Sequence, residues 1–260
     1  MRTFVRAVFF LMVIAALGHA QSVGTSIYTV APRQVQDGKV YLNYDSGYGV
    51  RSVRPFGEDG VEQRIGVVYG IGKNWSLISV ASGLVDERSV LRMGSAQIEV
   101  LRNVLTQENS LVNLSAGMGF LREYAGVNVL MARFAVGRDF ERWNVNSNTV
   151  LEKPFATARD AVDVITTFSS AYQFASWLWG GIDAIGEDLE GFFEPEEAEG
   201  GAKFMIGPTL QMQLSEKMRL RIGGGPIFYL TQSKAISQAP RLLPPGKSGY
   251  TVRFSMIYGI

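Results

Sequence analysis

Past residue 37 the chain alternates apolar and polar residues with a period of two, in segments of about ten to fourteen residues. Soluble strands average about five or six residues. A tilted strand needs about nine to eleven to cross a bilayer. Length and period together restrict the fold more than any other feature of the sequence. In Tyr250–Tyr258, Tyr250, Val252, Phe254, Met256 and Tyr258 fall on one face and Thr251, Arg253 and Ser255 on the other. Between Val61 and Ile71, Glu62, Arg64, Gly66 and Gly70 hold the polar side. Between Val112 and Phe120, Asn113, Ser115, Gly117 and Gly119 do so. Around Ala202–Leu214 and Met218–Leu230 the polar faces carry Lys203, Thr209, Gln211, Arg219 and Arg221.

About twelve such segments are predicted, at 38–48, 61–71, 75–84, 93–105, 110–122, 126–139, 142–154, 159–173, 176–187, 201–214, 218–231 and 249–259. The third, fourth, seventh and ninth mix polar and apolar residues on both faces. Every even segment is left by a short turn, such as Gly72-Lys73-Asn74 or Ser215-Glu216-Lys217. The odd ones mostly end in longer connections: 49–60, 85–92, 155–158, 188–200 and 232–248, with 123–125 the short exception. Tight turns at one end and long loops at the other describe an antiparallel up-and-down transmembrane β-barrel. Aromatic residues near the segment ends, among them Tyr48, Trp75, Phe140, Trp143, Tyr172, Trp177 and Tyr250, fit interfacial girdles.

The first twenty residues follow a different rule. Arg2 and Arg6 precede the apolar run Ala7–Leu17, and Gly18-His19-Ala20 offers small residues for cleavage before Gln21. The run is too short for a spanning helix, so residues 1–20 are expected to be a cleaved signal peptide. Residues 21–36 are then a short periplasmic N-terminal segment and 37–260 the barrel. Cleavage would remove Arg2, Arg6 and the only histidine, His19, and leave the two signs of charge nearly balanced. That balance gives no reason to expect a nucleic-acid partner.

The alternating, glycine-containing strands and the C-terminal run Gly249-Tyr250-Thr251-Val252-Arg253-Phe254-Ser255-Met256-Ile257-Tyr258-Gly259-Ile260 resemble bacterial outer-membrane β-barrel proteins of the porin-like kind. The run departs from that class in ending on Gly259-Ile260 rather than on an aromatic residue. The resemblance implies residence in the outer membrane of a Gram-negative bacterium, contact with its lipid, and insertion by the barrel-assembly machinery through the C-terminal strand. It also implies passive transport of small solutes.

Little catalytic chemistry is on offer. With no cysteine and the one histidine in the leader, the mature chain has neither thiol nor imidazole, and no Gly-x-Ser-x-Gly elbow occurs. Gly70-Ile71-Gly72-Lys73-Asn74 has part of a phosphate loop's composition without its spacing, and reads as a hairpin turn. No enzyme, cofactor or metal is expected. The acidic stretch 187–201 reads as a solvated loop, with cation binding as its alternative.

The phase of the strands turns nine charges into the lumen: Glu62, Arg64, Arg133, Asp163, Asp183, Lys203, Arg219, Arg221 and Arg253. Arg219, Arg221 and Arg253 fall on the last two strands, where they could form a basic patch favouring anions. Alternatively, the charges pair and fill a narrow barrel. Three functional readings stay open: a passive channel, a sealed structural or adhesive barrel, and a secreted soluble barrel that binds an apolar ligand.

Overall fold

The computed structural model describes residues 26–33, 35–85, 91–156, 161–189, 202–229 and 248–260. Twelve strands follow in chain order: β1 (Val40–Val50), β2 (Gly60–Gly72), β3 (Trp75–Val85), β4 (Leu91–Leu105), β5 (Asn113–Arg122), β6 (Asn128–Asp139), β7 (Trp143–Pro154), β8 (Asp163–Ala175), β9 (Leu178–Glu187), β10 (Lys203–Gln213), β11 (Met218–Tyr229) and β12 (Ser248–Gly259). Each pairs antiparallel with its neighbours in sequence. β1 closes the barrel on β12, from Tyr41 opposite Gly259 to Val50 opposite Tyr250. All twelve expected segments are strands, with ends displaced by a few residues. Residues 1–20 lie outside the described residues, as do most of the acidic stretch and of the last long loop.

Short turns gather at the end where β1 starts and β12 finishes. One of the two-residue turns is Lys73-Asn74, with φ of 51° and 71° between the paired residues Gly72 and Trp75. Two consecutive left-handed residues make the type I′ hairpin that matches strand twist, so the phosphate-loop fragment is a hairpin.

The alternation decides which way each side chain faces. Along β12, Tyr250, Val252, Phe254, Met256 and Tyr258 are exposed, while Thr251, Arg253, Ser255 and Ile257 are buried. Along β2, Val61, Ile65, Val67, Tyr69 and Ile71 point out and Glu62 points in. The apolar face therefore covers the outside. Leaving a large apolar side chain in water forgoes roughly 1.5–3 kcal/mol, and this surface carries dozens. A bilayer supplies the missing burial, and closure leaves no strand edge unpaired within it. Aromatic side chains band both ends: Trp143, Tyr172 and Phe174 stack at 5.1 and 5.2 Å at the short-turn end, and Tyr48 lies 6.2 Å from Tyr250 at the other. A soluble barrel with an apolar interior is the reverse of this arrangement.

One expectation is overturned. Of the segment expected in the periplasm, residues 26–33 lie inside the barrel, and Val35 and Gln36 lie against its wall at Gly70. The Val30 main chain bonds to Asn148 of β7, halfway along the wall, and the Pro32 carbonyl to Asn103 near the short-turn end of β4. The segment then descends past Asp139 at the foot of β6, which pairs with Arg33. It enters β1 after Gly38, whose N–H donates to the Gly70 carbonyl at 2.9 Å. The cause is steric as well as polar. Gly70 and Gly137 have no side chain to obstruct the segment: a Cβ at Gly70 would collide with the Gln36 carbonyl oxygen, and one at Gly137 would stand 2.9 Å from Pro32 Cγ.

Candidate functional site

The lumen is the site, and its two halves are built differently. At the long-loop end an apolar layer crosses the interior. Leu121, Val129, Met131, Val150, Ile165, Ile185, Met205 and Ile227 project inward from β5 to β11. Phe56, from the loop 51–59 between β1 and β2, fills their centre with 0 % of its surface exposed. That loop is folded into the mouth. The Arg51 N–H donates to Asp59 Oδ1 at 2.8 Å, closing the base of the loop, and Gly57 lies against Arg253 and Thr251.

Arg54 anchors the same loop. Its guanidinium donates to Glu152 Oε2 at 2.7 Å and to Glu123 Oε1 at 3.0 Å, and makes a second bond to Glu152. Burial alone would lower its pKa, but the attraction of Glu152, then of Glu123, more than offsets that and raises it. Arg54 is therefore a permanent cation in the mouth. Just beyond β9, Asp188 accepts the Val164 N–H at 3.1 Å. Burial first, then the neighbouring carboxylates Glu187 and Asp163, push Asp188 up to about 7, against the pull of that N–H and of Lys203.

Outside the apolar layer the inner face is polar and largely paired. Glu62 takes the Arg253 Nη2 hydrogen bond at 2.7 Å and the Tyr124 hydroxyl at 3.0 Å, with Arg64 Nη2 at 2.8 Å. Arg133 donates Nε to Glu99 Oε1 at 2.6 Å, and at the loop ends of β9 and β10 Lys203 pairs with Glu187. Asp183 faces the Ile27 N–H at 3.4 Å, and Asp163 is buried at the loop end of β8. All nine charges predicted for the lumen thus lie on the inward side of the wall, eight buried and Arg64 half-buried.

The structure does not assemble Arg219, Arg221 and Arg253 into an open basic patch. Arg253 is engaged by Glu62. Arg219 donates to Gln213 Oε1 at 2.6 Å. Arg221 donates to Ser255 Oγ at 3.0 Å and to the Ser26 carbonyl. Each guanidinium is directed to its own partner because neighbouring strands and the N-terminal segment all present acceptors there. Between that segment and the wall of β1 to β6, β11 and β12 a cavity of ≈ 240 Å³ remains, lined by Asn43, Asp45, Arg64, Glu99, Arg133 and Arg221 among others.

Three components of the site escaped the sequence reading. The N-terminal segment and the loop 51–59 lack alternation, so nothing in them marks an inward path. The carboxylates Glu99, Glu123, Glu152 and Glu187 complete the ion pairs, and all but Glu123 lie on inward strand positions. The apolar layer did leave a trace, because Val150 and Ile185 point inward on the seventh and ninth segments, where both faces read as mixed.

No protein-family model matches the sequence, and no curated protein matches it. Solved structures match in shape. The NanC porin superposes with a TM-score of 0.59 at 11% identity, over 84% of this chain and 98% of its own. The KdgM porin gives 0.56 at 10% identity, over 84% and 98%. An outer-membrane channel from Pseudomonas putida F1 gives 0.58 at 12% identity, over 92% of this chain and all of its own (100%). At these identities the likeness is one of fold: a closed antiparallel barrel of the porin kind.

Proposed function

We propose that this chain is an outer-membrane channel for small polar solutes, exported through cleavage of residues 1–20. At rest its lumen is occupied by its own residues 26–33 and by the loop 51–59. The observation that carries this reading is the inner face below the apolar layer. It is polar and charged in both signs, and on one side a ≈ 240 Å³ cavity remains between it and residues 26–33. Transport would be diffusion along that face once the two occupants move aside, with the wall charges setting selectivity. The fold shared with the porins is consistent with this, as is the apolar outer belt. The C-terminal strand β12 would engage the assembly machinery. Arg221, whose hydrogen bonds go to the Ser26 carbonyl and the Ser255 hydroxyl, is the wall charge best placed to favour anions, and Arg221→Ser would reduce that preference.

The apolar layer around Phe56 favours a second reading, a sealed barrel acting through its outer loops. Planar-bilayer recording separates the two. The full chain should give small or rare current steps, and a variant lacking residues 21–33 should give steps several-fold larger. Silence from both proteins at high load would sink the channel reading and leave the sealed barrel.

A further inference from the structure

The wall meets the main chain of residues 26–33 at four places. Asn148, 1 % exposed on β7, donates Nδ2 to the Val30 carbonyl at 2.8 Å and accepts the Val30 N–H on Oδ1 at 3.0 Å. Those are the two bonds a neighbouring strand exchanges with a residue in an antiparallel pair. Asn103 of β4 donates to the Pro32 carbonyl at 2.7 Å, Asp183 of β9 faces the Ile27 N–H, and Arg221 of β11 donates to the Ser26 carbonyl. Four strands on different sides of the barrel each extend a polar side chain to one backbone.

The side chains of the segment add contacts of their own: the Ser26 hydroxyl donates to Asp183 and accepts the Tyr28 and Thr29 N–H groups, and Tyr28 packs on the apolar layer. Ile27, Val30 and Ala31 are aliphatic. Tyr28 lies over Arg253 at 5.9 Å, and Arg33 pairs with Asp139 at the exit. The wall, by contrast, is pre-set. Arg133 is held by two bonds to Glu99 and donates Nη1 to Asn148 Oδ1 at 3.1 Å. A guanidinium can only donate, so it fixes the Asn148 amide with Nδ2 toward the lumen. Further along the wall Ser169 Oγ and Gln211 Oε1 are buried polar atoms that no described residue bonds. Gly70 and Gly137 keep the path clear of side chains.

A wall that bonds the backbone at Ser26, Ile27, Val30 and Pro32 can bond the backbone of another peptide in the same way. We propose that the lumen is a binding site for extended peptides, and that residues 26–33 are its resident occupant, displaced when a peptide enters from outside the chain. This rests on the channel reading and names its class of solute.

The test uses the full chain in detergent and the full-chain variant Val30→Pro. That substitution removes the N–H which Asn148 accepts and leaves the wall intact. The probes are fluorescein-labelled peptides: residues 21–33, a scramble of the same composition, and residues 21–33 with the Val30 nitrogen methylated. Fluorescence anisotropy should show the first two binding within about tenfold of each other, at least about tenfold tighter to the Val30→Pro variant than to the unchanged chain. The methylated peptide should bind about tenfold more weakly, a loss of about 1.4 kcal/mol. Adding Asn148→Leu to Val30→Pro should remove the difference between methylated and unmethylated peptide.

Binding of the native sequence without the scramble would overturn the proposal and leave a plug specific to this chain. Binding of neither, or indifference to methylation, would overturn it as well. If Val30→Pro fails to fold, the unchanged chain still decides by the same ranking of the three peptides. Bilayer current recorded without peptide keeps the channel reading separate. A protein that conducts but binds no peptide loses only this inference, and one that binds but never conducts loses only the channel.

Discussion

The lumen is closed twice, and the two closures differ in what water can do to them. At the long-loop end the seal is side-chain packing around Phe56, backed by Arg54 between Glu123 and Glu152. Opening it exposes apolar surface and separates buried charges, both of which water compensates poorly. In the other half the occupant is a segment without regular structure, held by hydrogen bonds to Asn103, Asn148, Asp183 and Arg221 and by the Arg33–Asp139 pair. Water can replace each of those bonds, so their net worth is about 0.5–1.5 kcal/mol for the neutral ones and about 1.5–3 kcal/mol for those to Asp183 and Arg221. The barrier to passage therefore resides in the mouth, and the segment below is the part built to exchange.

The largest effect is expected for Phe56→Ala. Emptying the centre of the apolar layer should lower stability by about 3–5 kcal/mol, read as a shift of the urea midpoint of the detergent-folded barrel. It should also raise bilayer current, since the seal goes with the ring. Arg54→Met should come next. It strands Glu152 and Glu123 without their cation, and removing one partner of a buried pair costs about 3–5 kcal/mol. Because Arg54 is partly exposed, the expected loss is nearer about 2 kcal/mol. Restoring neutrality with Glu152→Gln in the same chain should recover part of it.

Asn148→Ala should cost less than either, about 1–2 kcal/mol, and should show in current fluctuations more than in the urea midpoint. The contrast between the two halves collapses if Asn148→Ala destabilises the barrel as much as Phe56→Ala does.

The smallest effect sharpens the account of the mouth by its pH dependence. Asp188 has its pKa raised from 3.8 to about 7 in the folded barrel. Its contribution to stability is complete below pH 4 and is lost as pH rises toward 7, because there the unfolded chain has already released the proton that the folded one retains. Urea midpoints measured from pH 4 to pH 8 should fall across that window and then level off. Asp188→Asn should flatten the fall, and an unchanged slope in that variant would assign the pH dependence to other groups.

The barrel itself was legible because a wall with lipid on one side and a polar lumen on the other imposes a two-residue period on every strand. Even the hairpin at Lys73-Asn74 followed from its residues. What the period could not carry is anything held by main chain. Residues 21–36 read as a periplasmic segment, since the bonds at Ser26, Ile27, Val30 and Pro32 are made by groups every residue possesses. The inner face was likewise expected to be polar throughout. Met131, Ile165 and Met205 break that rule where a loop rather than water covers them. Charge placement was readable residue by residue, whereas pairing was not. Arg253 finds Glu62 only because closure of the sheet puts β12 next to β1 and hence near β2.

The central claim is that residues 26–33 occupy the lumen, and the chain's lack of cysteine permits a clean test. A Thr29→Cys variant, alone and with Asn109→Cys in the exposed β4–β5 turn as its reference, can be exposed in the folded barrel to a charged maleimide. Thr29 is buried and Asn109 exposed, so Cys at 29 should label about a hundredfold more slowly than Cys at 109, and at the same rate once the barrel is unfolded. Equal rates in the folded protein would place the segment outside the barrel and contradict the account.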